Sequence, residues 1–184
     1  QEITLTEPPL LTLDTVATVD VTCFGGSDGQ VLLNGDGGVT PYIFSYDGIN
    51  WQTDSNFLAM EAGLYTFTVK DANGCTTTFS NITISQPEPT VVDAGPNFTI
   101  EYGSSVIIQA ATAISPIISI LWEPAEGLSC TDCLQPTAQP TFNTVYYITV
   151  TDENGCEAVD SMYVWVNIDF NVPNAFTPNG DGLN

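Results

Sequence analysis

The sequence contains no histidine and no arginine, and Lys70 is its single basic residue against 22 acidic residues. Without histidine, the triads that pair serine or cysteine with an imidazole are excluded, and the commonest metal ligand is missing. Nucleic acids and anionic membranes bind through lysine and arginine, so the formal net charge of −21 argues against both partners. A glycosidase-type carboxylate pair needs a substantial cleft, for which small domains have little room. We therefore expect no enzyme activity.

Long apolar runs and a helical period are also missing. No stretch approaches the roughly 18 to 20 apolar residues of a membrane span, and no signal-peptide pattern follows Gln1. We therefore expect no membrane insertion and an internal or processed fragment. The five cysteines indicate an oxidising, extracellular compartment.

An internal repeat is the strongest organisational signal. The segment from Tyr65 to Cys75 reads YTFTVKDANGC and that from Tyr146 to Cys156 reads YYITVTDENGC, with seven of eleven positions identical. Asn-Gly between alternating strands is the preferred chemistry of a tight hairpin, so turns are expected at Asn73-Gly74 and Asn154-Gly155. The outgoing arms, 76–85 and 157–167, should be the last strands of two modules of about 80 residues.

Short alternating strands separated by Gly, Asp and Asn clusters fill the rest of the chain. About seven strands per module, with turns every 8 to 12 residues, is the pattern of an immunoglobulin-like sandwich. The predicted fold class is therefore all-β, as tandem immunoglobulin-like β-sandwich modules. The predicted divisions are a last strand of a preceding repeat (1–9), a first sandwich (10–89), a second sandwich (90–167) and the beginning of another domain (168–184).

Three segments of the first module resemble the SprB-type repeat of Bacteroidota surface adhesins. They are the stretch from Val21 to Gly29, the stretch from Gly37 to Tyr42, and the hairpin turn Asp71-Ala72-Asn73-Gly74-Cys75. The second module, with Trp122-Glu123-Pro124 and Cys130-Thr131-Asp132-Cys133, resembles a PKD-like or immunoglobulin-like module. The resemblance implies a large cell-surface adhesin.

The end of the chain is similar to the opening of the gliding-motility-associated C-terminal domain. That domain is a type B sorting signal of the type IX secretion system, so the resemblance implies export across the outer membrane to the cell surface. It implies the secretion translocon and its shuttle protein as partners, beside neighbouring repeats and an unknown surface ligand. The motif residues are Pro173, Asn174, Phe176, Pro178, Asn179, Gly180, Asp181 and Gly182.

The cysteine spacing predicts two disulfides. Cys23 precedes a Gly-rich turn and Cys75 follows the hairpin turn, so a bond between them is expected at one end of the sandwich, with two free buried thiols as the alternative. Cys130 and Cys133 are expected to form a local staple rather than a redox or zinc site, because no basic or helical neighbour is present. Cys156 is then expected as a buried unpaired thiol.

Loops rich in Asp, Asn and Gly provide hard oxygen ligands, and calcium is the one cofactor considered. The candidate ligands are Asp28, Asn34 and Asp36 in the first module and Asn179, Asp181 and Asn184 at the end of the chain. Ordinary turn chemistry is the favoured interpretation, because these residue types dominate turns. Otherwise no cofactor is expected.

Aromatic residues and two short sequons provide the remaining candidate sites. Tyr42, Phe44, Tyr46 and Trp51 are either core or a sugar-stacking platform, and core is favoured, as for Trp122 and Trp165. Asp14-Thr15-Val16 and Asp160-Ser161-Met162 resemble the Bacteroidota O-glycosylation sequon, with Thr15 and Ser161 as acceptors.

The preferred functional hypothesis is a non-catalytic stalk or adhesin segment, displayed extracellularly and serving gliding or attachment. The alternatives are a carbohydrate- or protein-binding module, accessory modules of a secreted hydrolase, and capture of the chain as export cargo. An exposed aromatic residue among Tyr42, Tyr46 and Trp51 favours the binding module.

Overall fold

A computed structural model describes residues 6–113 and 116–168 of the chain. All regular secondary structure in these ranges is β-strand. The described chain forms two compact units, the first comprising residues up to 90 together with 153–156, and the second comprising 91–152 and the residues from 157 onward. Each unit is described below by itself.

The first unit is a sandwich of two three-stranded antiparallel sheets. One has the order β1-β2-β4 and the other β3-β5-β6. Alternating side chains point into the space between the sheets, where Val31, Phe67, Val69 and Ile84 are at most 1% exposed. The strands are β1 (Thr12–Val19), β2 (Gly29–Asp36), β3 (Ile43–Ser45), β4 (Asn56–Met60), β5 (Gly63–Lys70) and β6 (Thr76–Ile84).

The second unit is built around a four-stranded sheet of order β11-β13-β14-β8, whose last pair is parallel. Two-stranded ribbons, β10-β7 and β12-β9, supply the remaining strands. Trp122 and Tyr146 are the largest fully buried side chains of its core. The strands are β7 (Val91–Asp93), β8 (Phe98–Glu101), β9 (Val106–Ile107), β10 (Ala111–Ala113), β11 (Ile117–Glu123), β12 (Thr137–Ala138), β13 (Thr144–Asp152) and β14 (Glu157–Asn167).

Both repeated motifs form hairpins, which confirms the prediction from Asn-Gly. β5 pairs with β6 and β13 pairs with β14, each antiparallel. Gly74 and Gly155 have φ of 84° and 83°, which is the left-handed conformation that favours glycine. The outgoing arms were predicted to within one residue, because their alternation continues to the strand ends.

The fold class is all-β and immunoglobulin-like. Each unit packs sheet faces over a separate apolar core, and strands that are not consecutive in sequence are neighbours, as β2 with β4 and β14 with β8. Strand ends were predicted less well where alternation is weak. Residues 6–9, expected in the last strand of a preceding repeat, form no strand and are exposed.

Candidate functional site

The aspartate that opens the repeated turn is buried in both copies. Asp71 is 5% exposed, and its Oδ1 accepts hydrogen bonds from the amides of Asn73 and Cys75, at 2.9 and 2.8 Å. Its Oδ2 accepts a further bond from the Val39 amide at 3.0 Å. Asp152 in the second copy is 4% exposed. This role was not predicted from the sequence, although the recurrence of Asp in both motifs was the available signal.

The disulfide expected between Cys23 and Cys75 is not the one in the structure. Cys23 is bonded to Cys156, with a Cα–Cα distance of 5.6 Å, and Cys75 is a free, exposed cysteine. Cys156, expected as an unpaired thiol, is 8% exposed and lies in the segment 153–156 of the first unit. The partner of Cys23 could not be predicted from cysteine spacing, because Cys75 and Cys156 follow nearly identical turns. Local sequence does not distinguish these two cysteines.

The segment around Cys130 and Cys133 is closed by a local disulfide, with the two Cα atoms 5.9 Å apart. It packs onto the core through Trp122, whose indole Nε1 donates to the Cys133 carbonyl at 3.0 Å. The backbone amide of Trp122 donates to the Thr131 carbonyl at 2.8 Å. The Cys130–Cys133 disulfide therefore closes a short loop that packs against Trp122, the largest buried side chain of the second unit.

The calcium candidates that the structure describes have turn or strand roles. Asp28 Oδ1 accepts the Thr22 amide at 2.9 Å, and hydrogen bonds from Thr22 lower the pKa of this carboxyl. Asp36 Oδ1 accepts the Gly37 amide at 2.8 Å, and Asn34 is exposed on β2 opposite Asp14. In 6–113 and 116–168, no three His, Cys, Asp or Glu side chains are grouped to hold a metal ion. Asn179, Asp181 and Asn184 lie outside the described residues, and calcium stays a prediction.

Tyr46 is the exposed member of the aromatic group in the first unit. Phe44 is in the core and Tyr42 and Trp51 are half-buried, whereas Tyr46 is 48% exposed. The ammonium group of Lys70 lies over the Trp51 ring, 4.2 Å from the ring centroid. Tyr46, Tyr65 and Glu61 help line an open cavity of about 320 Å³. Burial raises the pKa of Tyr65, and the Glu61 carboxylate adds to that effect.

The loop after β3 fixes the backbone next to Tyr46. Asp47 Oδ1 accepts hydrogen bonds from the amides of Asn50 and Ile49, both at 2.8 Å, and from the Ser45 hydroxyl at 3.0 Å. The Asn50 side chain donates to Oδ2 at 2.7 Å. These bonds favour the carboxylate and hold the pKa of Asp47 well below its ordinary value. The loop presents Tyr46 in a defined position.

Trp165, expected in the core, is 41% exposed. It lies on the outer side of β14, because its neighbour Val164 faces inward with no exposure. Its ring is 4.4 Å from that of Tyr163, centroid to centroid. Strand alternation, rather than side-chain size, decides which aromatic residues are buried here.

The modification candidates differ in exposure. Thr15 is half-buried on β1 and Ser161 is exposed on β14. The sorting-domain motif residues Pro173 to Gly182 lie outside the described residues. Among the described residues, no buried side-chain nitrogen or oxygen atom lacks a hydrogen-bond partner, so no buried polar side chain points to a missing ligand.

No helix of the described chain is long and apolar enough to span a membrane.

No curated protein sequence matches the chain. Among solved structures, it is similar to the CbhA fibronectin(III)-like modules of Clostridium thermocellum, at 12% identity and TM-score 0.35, covering 86% of this chain and 95% of that one. It is also similar to tandem Ig repeats of Dlar, at 13% identity and TM-score 0.35, with 89% and 100% covered. A chimeric titin Z1Z2 tandem gives 15% identity and TM-score 0.37, with 85% and 100% covered.

The family comparison bears on the first unit. Residues 15–49 match the family model described as the SprB repeat, from β1 through the loop that carries Tyr46. No match supports the PKD-like or sorting-domain resemblance. Within the matched range lie Cys23 and the calcium candidates Asp28, Asn34 and Asp36. The first unit thus contains a region similar to a SprB repeat.

Proposed function

We propose that this chain is a non-catalytic segment of a cell-surface adhesin, exported by the type IX secretion system and serving gliding motility or surface attachment. The single observation that carries the proposal is the SprB-repeat match at residues 15–49. Its location within an all-β, disulfide-linked unit is consistent with an adhesin-type extracellular module.

The export route is a finer part of the proposal, and it depends on the resemblance of the motif from Pro173 to Gly182 to a sorting domain. Under this proposal the translocon and its shuttle protein bind the C-terminal sorting domain. The two units act as spacers between neighbouring modules and an unidentified surface ligand. The shortage of basic residues leaves Lys70 as the one trypsin site, which suits a protein exposed to extracellular proteases.

The proposal is tested in native cells with antibodies raised against the purified 184-residue chain. We expect intact cells to be labelled, and labelling to disappear when the type IX translocon is disrupted while the protein accumulates inside the outer membrane. A periplasmic protein that becomes labelled only after lysis is the control. Surface labelling that persists without the translocon would contradict the export route, and labelling that requires lysis in normal cells would contradict surface display.

A second candidate, a carbohydrate- or protein-binding module, is favoured by the exposure of Tyr46 beside its cavity. Tyr46→Ala should then reduce retention of the chain by its ligand. Ile49→Ala is the matched control, since Ile49 is 81% exposed in the same loop and does not line the cavity. Equal retention of the two variants would remove this site from consideration.

A further inference from the structure

An exposed aromatic surface covers the outer side of the four-stranded sheet in the second unit. Inward-facing Trp122, Tyr146 and Val164 are fully buried, whereas their outward-facing neighbours are open to solvent. Leu121 is 46% exposed, Tyr147 52%, Val159 61% and Trp165 41%, and Tyr163 is half-buried. We call these five side chains the aromatic face.

The strand register makes the aromatic face continuous. Leu121 on β11 pairs with Thr149 on β13, which pairs with Val159 on β14. Tyr147 lies opposite Ser161, midway between Val159 and Tyr163. At about 3.4 Å per residue, the row from Val159 to Trp165 is about 20 Å long. The face therefore offers an extended platform rather than a closed pocket.

Hydroxyl groups lie beside the exposed side chains of this platform. Ser161 is flanked on β14 by Val159 and Tyr163, and Thr99 on β8 pairs with Trp165. Glu123, opposite Tyr147, adds an exposed carboxylate. The platform thus combines the partly exposed rings of Tyr147 and Trp165 with polar groups that donate and accept hydrogen bonds.

The charge of the chain restricts the occupant. The aromatic face contains no basic residue, and Lys70, the one basic side chain, lies over Trp51 in the first unit. Anionic polymers would be repelled by a chain with a formal charge of −21, and a second copy would bring an equal negative charge. A neutral occupant avoids this repulsion.

We propose that the aromatic face binds an extended neutral polysaccharide. A pyranose ring has apolar C–H faces that stack on aromatic rings, and a rim of hydroxyls that hydrogen-bonds to groups such as Ser161, Thr99 and Glu123. Such a ligand matches the outward row of β14, in which the Ser161 hydroxyl precedes the rings of Tyr163 and Trp165. This inference goes beyond the proposed function, since it requires neither the type IX route nor a SprB-type ligand.

Retention of the full 184-residue chain on insoluble polymers tests the proposal. The neutral probes are acid-swollen cellulose, colloidal chitin and agarose, and calcium-alginate beads are the anionic probe. We expect retention by at least one neutral polymer and none by alginate. Combined Tyr147→Ala and Trp165→Ala substitution should weaken retention about tenfold or more, equivalent to about 1.4 kcal/mol.

Two further variants separate a binding role from a structural one. Trp165→Phe preserves an aromatic ring and should keep most of the retention. Phe142→Ala removes a side chain that is 56% exposed in the same unit but outside the aromatic face, and should have no effect. Circular dichroism melting curves of all variants establish that the fold is intact.

The remaining outcomes would overturn the proposal. These are retention by alginate alone, failure of all three neutral polymers, or a loss that follows Tyr46→Ala instead of the paired substitution. Sedimentation that shows a dimer dissociated by the paired substitution would identify a second copy as the occupant. None of these results depends on whether the protein reaches the cell surface, so they are distinct from failure of the proposed function.

Discussion

Cys75 and Cys156 occupy the same place in the repeated hairpin motif, but only Cys156 is in a disulfide. The sequence shows which segments contain cysteines and which turns precede them. The pairing could not be predicted, because it depends on where residues 153–156 lie in three dimensions. Motif identity therefore predicts turn geometry and not the partner of a cysteine.

Cys156→Ser should destabilise the oxidised chain, whereas Cys75→Ser should leave its stability nearly unchanged. The Cys23–Cys156 bond spans 133 residues, and closing a loop of that length is worth about 5 kcal/mol in the chain-entropy model. Guanidinium unfolding of both variants under non-reducing conditions measures the difference. A large loss in Cys75→Ser and little change in Cys156→Ser would instead support the pairing expected from spacing.

The stability of the first unit should fall at acid pH partly through Asp47. Since the pKa of this carboxyl in the folded chain lies below its ordinary value of 3.8, folding favours the ionised form. Its stabilising contribution is therefore present above about pH 4 and is lost as the pH falls through the lowered pKa. Carbon-13 NMR titration of the Asp47 carboxyl should show this low midpoint.

Asp47→Asn should flatten the acid limb of the stability curve. Asp54→Asn is the control, because Asp54 Oδ1 accepts a backbone hydrogen bond from Asn56 at 2.9 Å rather than a network of bonds. An Asp47 midpoint at or above its ordinary value would contradict the hydrogen-bond network that surrounds it.

At the scale of elements, turn chemistry and alternation account for what was predictable. Asn73-Gly74 and Asn154-Gly155 predicted both hairpins, and the strict alternation of Met162 to Val166 predicted β14. Alternation also separates buried Val164 from exposed Trp165. Trp165 was nevertheless assigned to the core, because its size was given more weight than the period of two.

Gly95→Ala should be more destabilising than Gly103→Ala, although the two glycines have nearly the same backbone conformation. Their φ angles are 85° and 82°, so both substitutions introduce similar backbone strain of about 1 kcal/mol. A Cβ on Gly95 would lie 2.8 Å from the Gln109 carbonyl oxygen, whereas one on Gly103 would meet nothing within 4 Å. Thermal unfolding of the two variants measures the extra steric cost, and equal melting temperatures would contradict it.

At the scale of the whole molecule, the charge imbalance should make stability depend on salt. With 22 acidic residues and one basic residue, attraction between opposite charges is scarce and repulsion dominates. Added NaCl screens this repulsion, so the unfolding midpoint should rise with salt at neutral pH. Denaturation by urea, which is uncharged, is the suitable measurement. A midpoint that falls with salt would contradict the dominance of repulsion.

The same urea experiment distinguishes specific calcium binding from the general screening of charges by salt. NaCl and CaCl₂ at equal ionic strength should give similar midpoints if the Asp and Asn clusters only form turns, as the hydrogen bonds of Asp28 and Asp36 suggest. A specific rise with CaCl₂ that is lost in Asp28→Asn would instead support the calcium interpretation.

The bond between Cys23 and Cys156 has a consequence for a chain under tension. A pull applied at the two ends travels along the backbone to Cys23, crosses the sulfur atoms and leaves through Cys156, bypassing the 133-residue separation between them. At about 3.4 Å per residue, about 450 Å of contour length is thereby withheld from extension. While this disulfide is intact, a tether that contains the segment cannot extend by that length even if its sheets come apart. Reduction of the disulfide makes the same contour length available for extension.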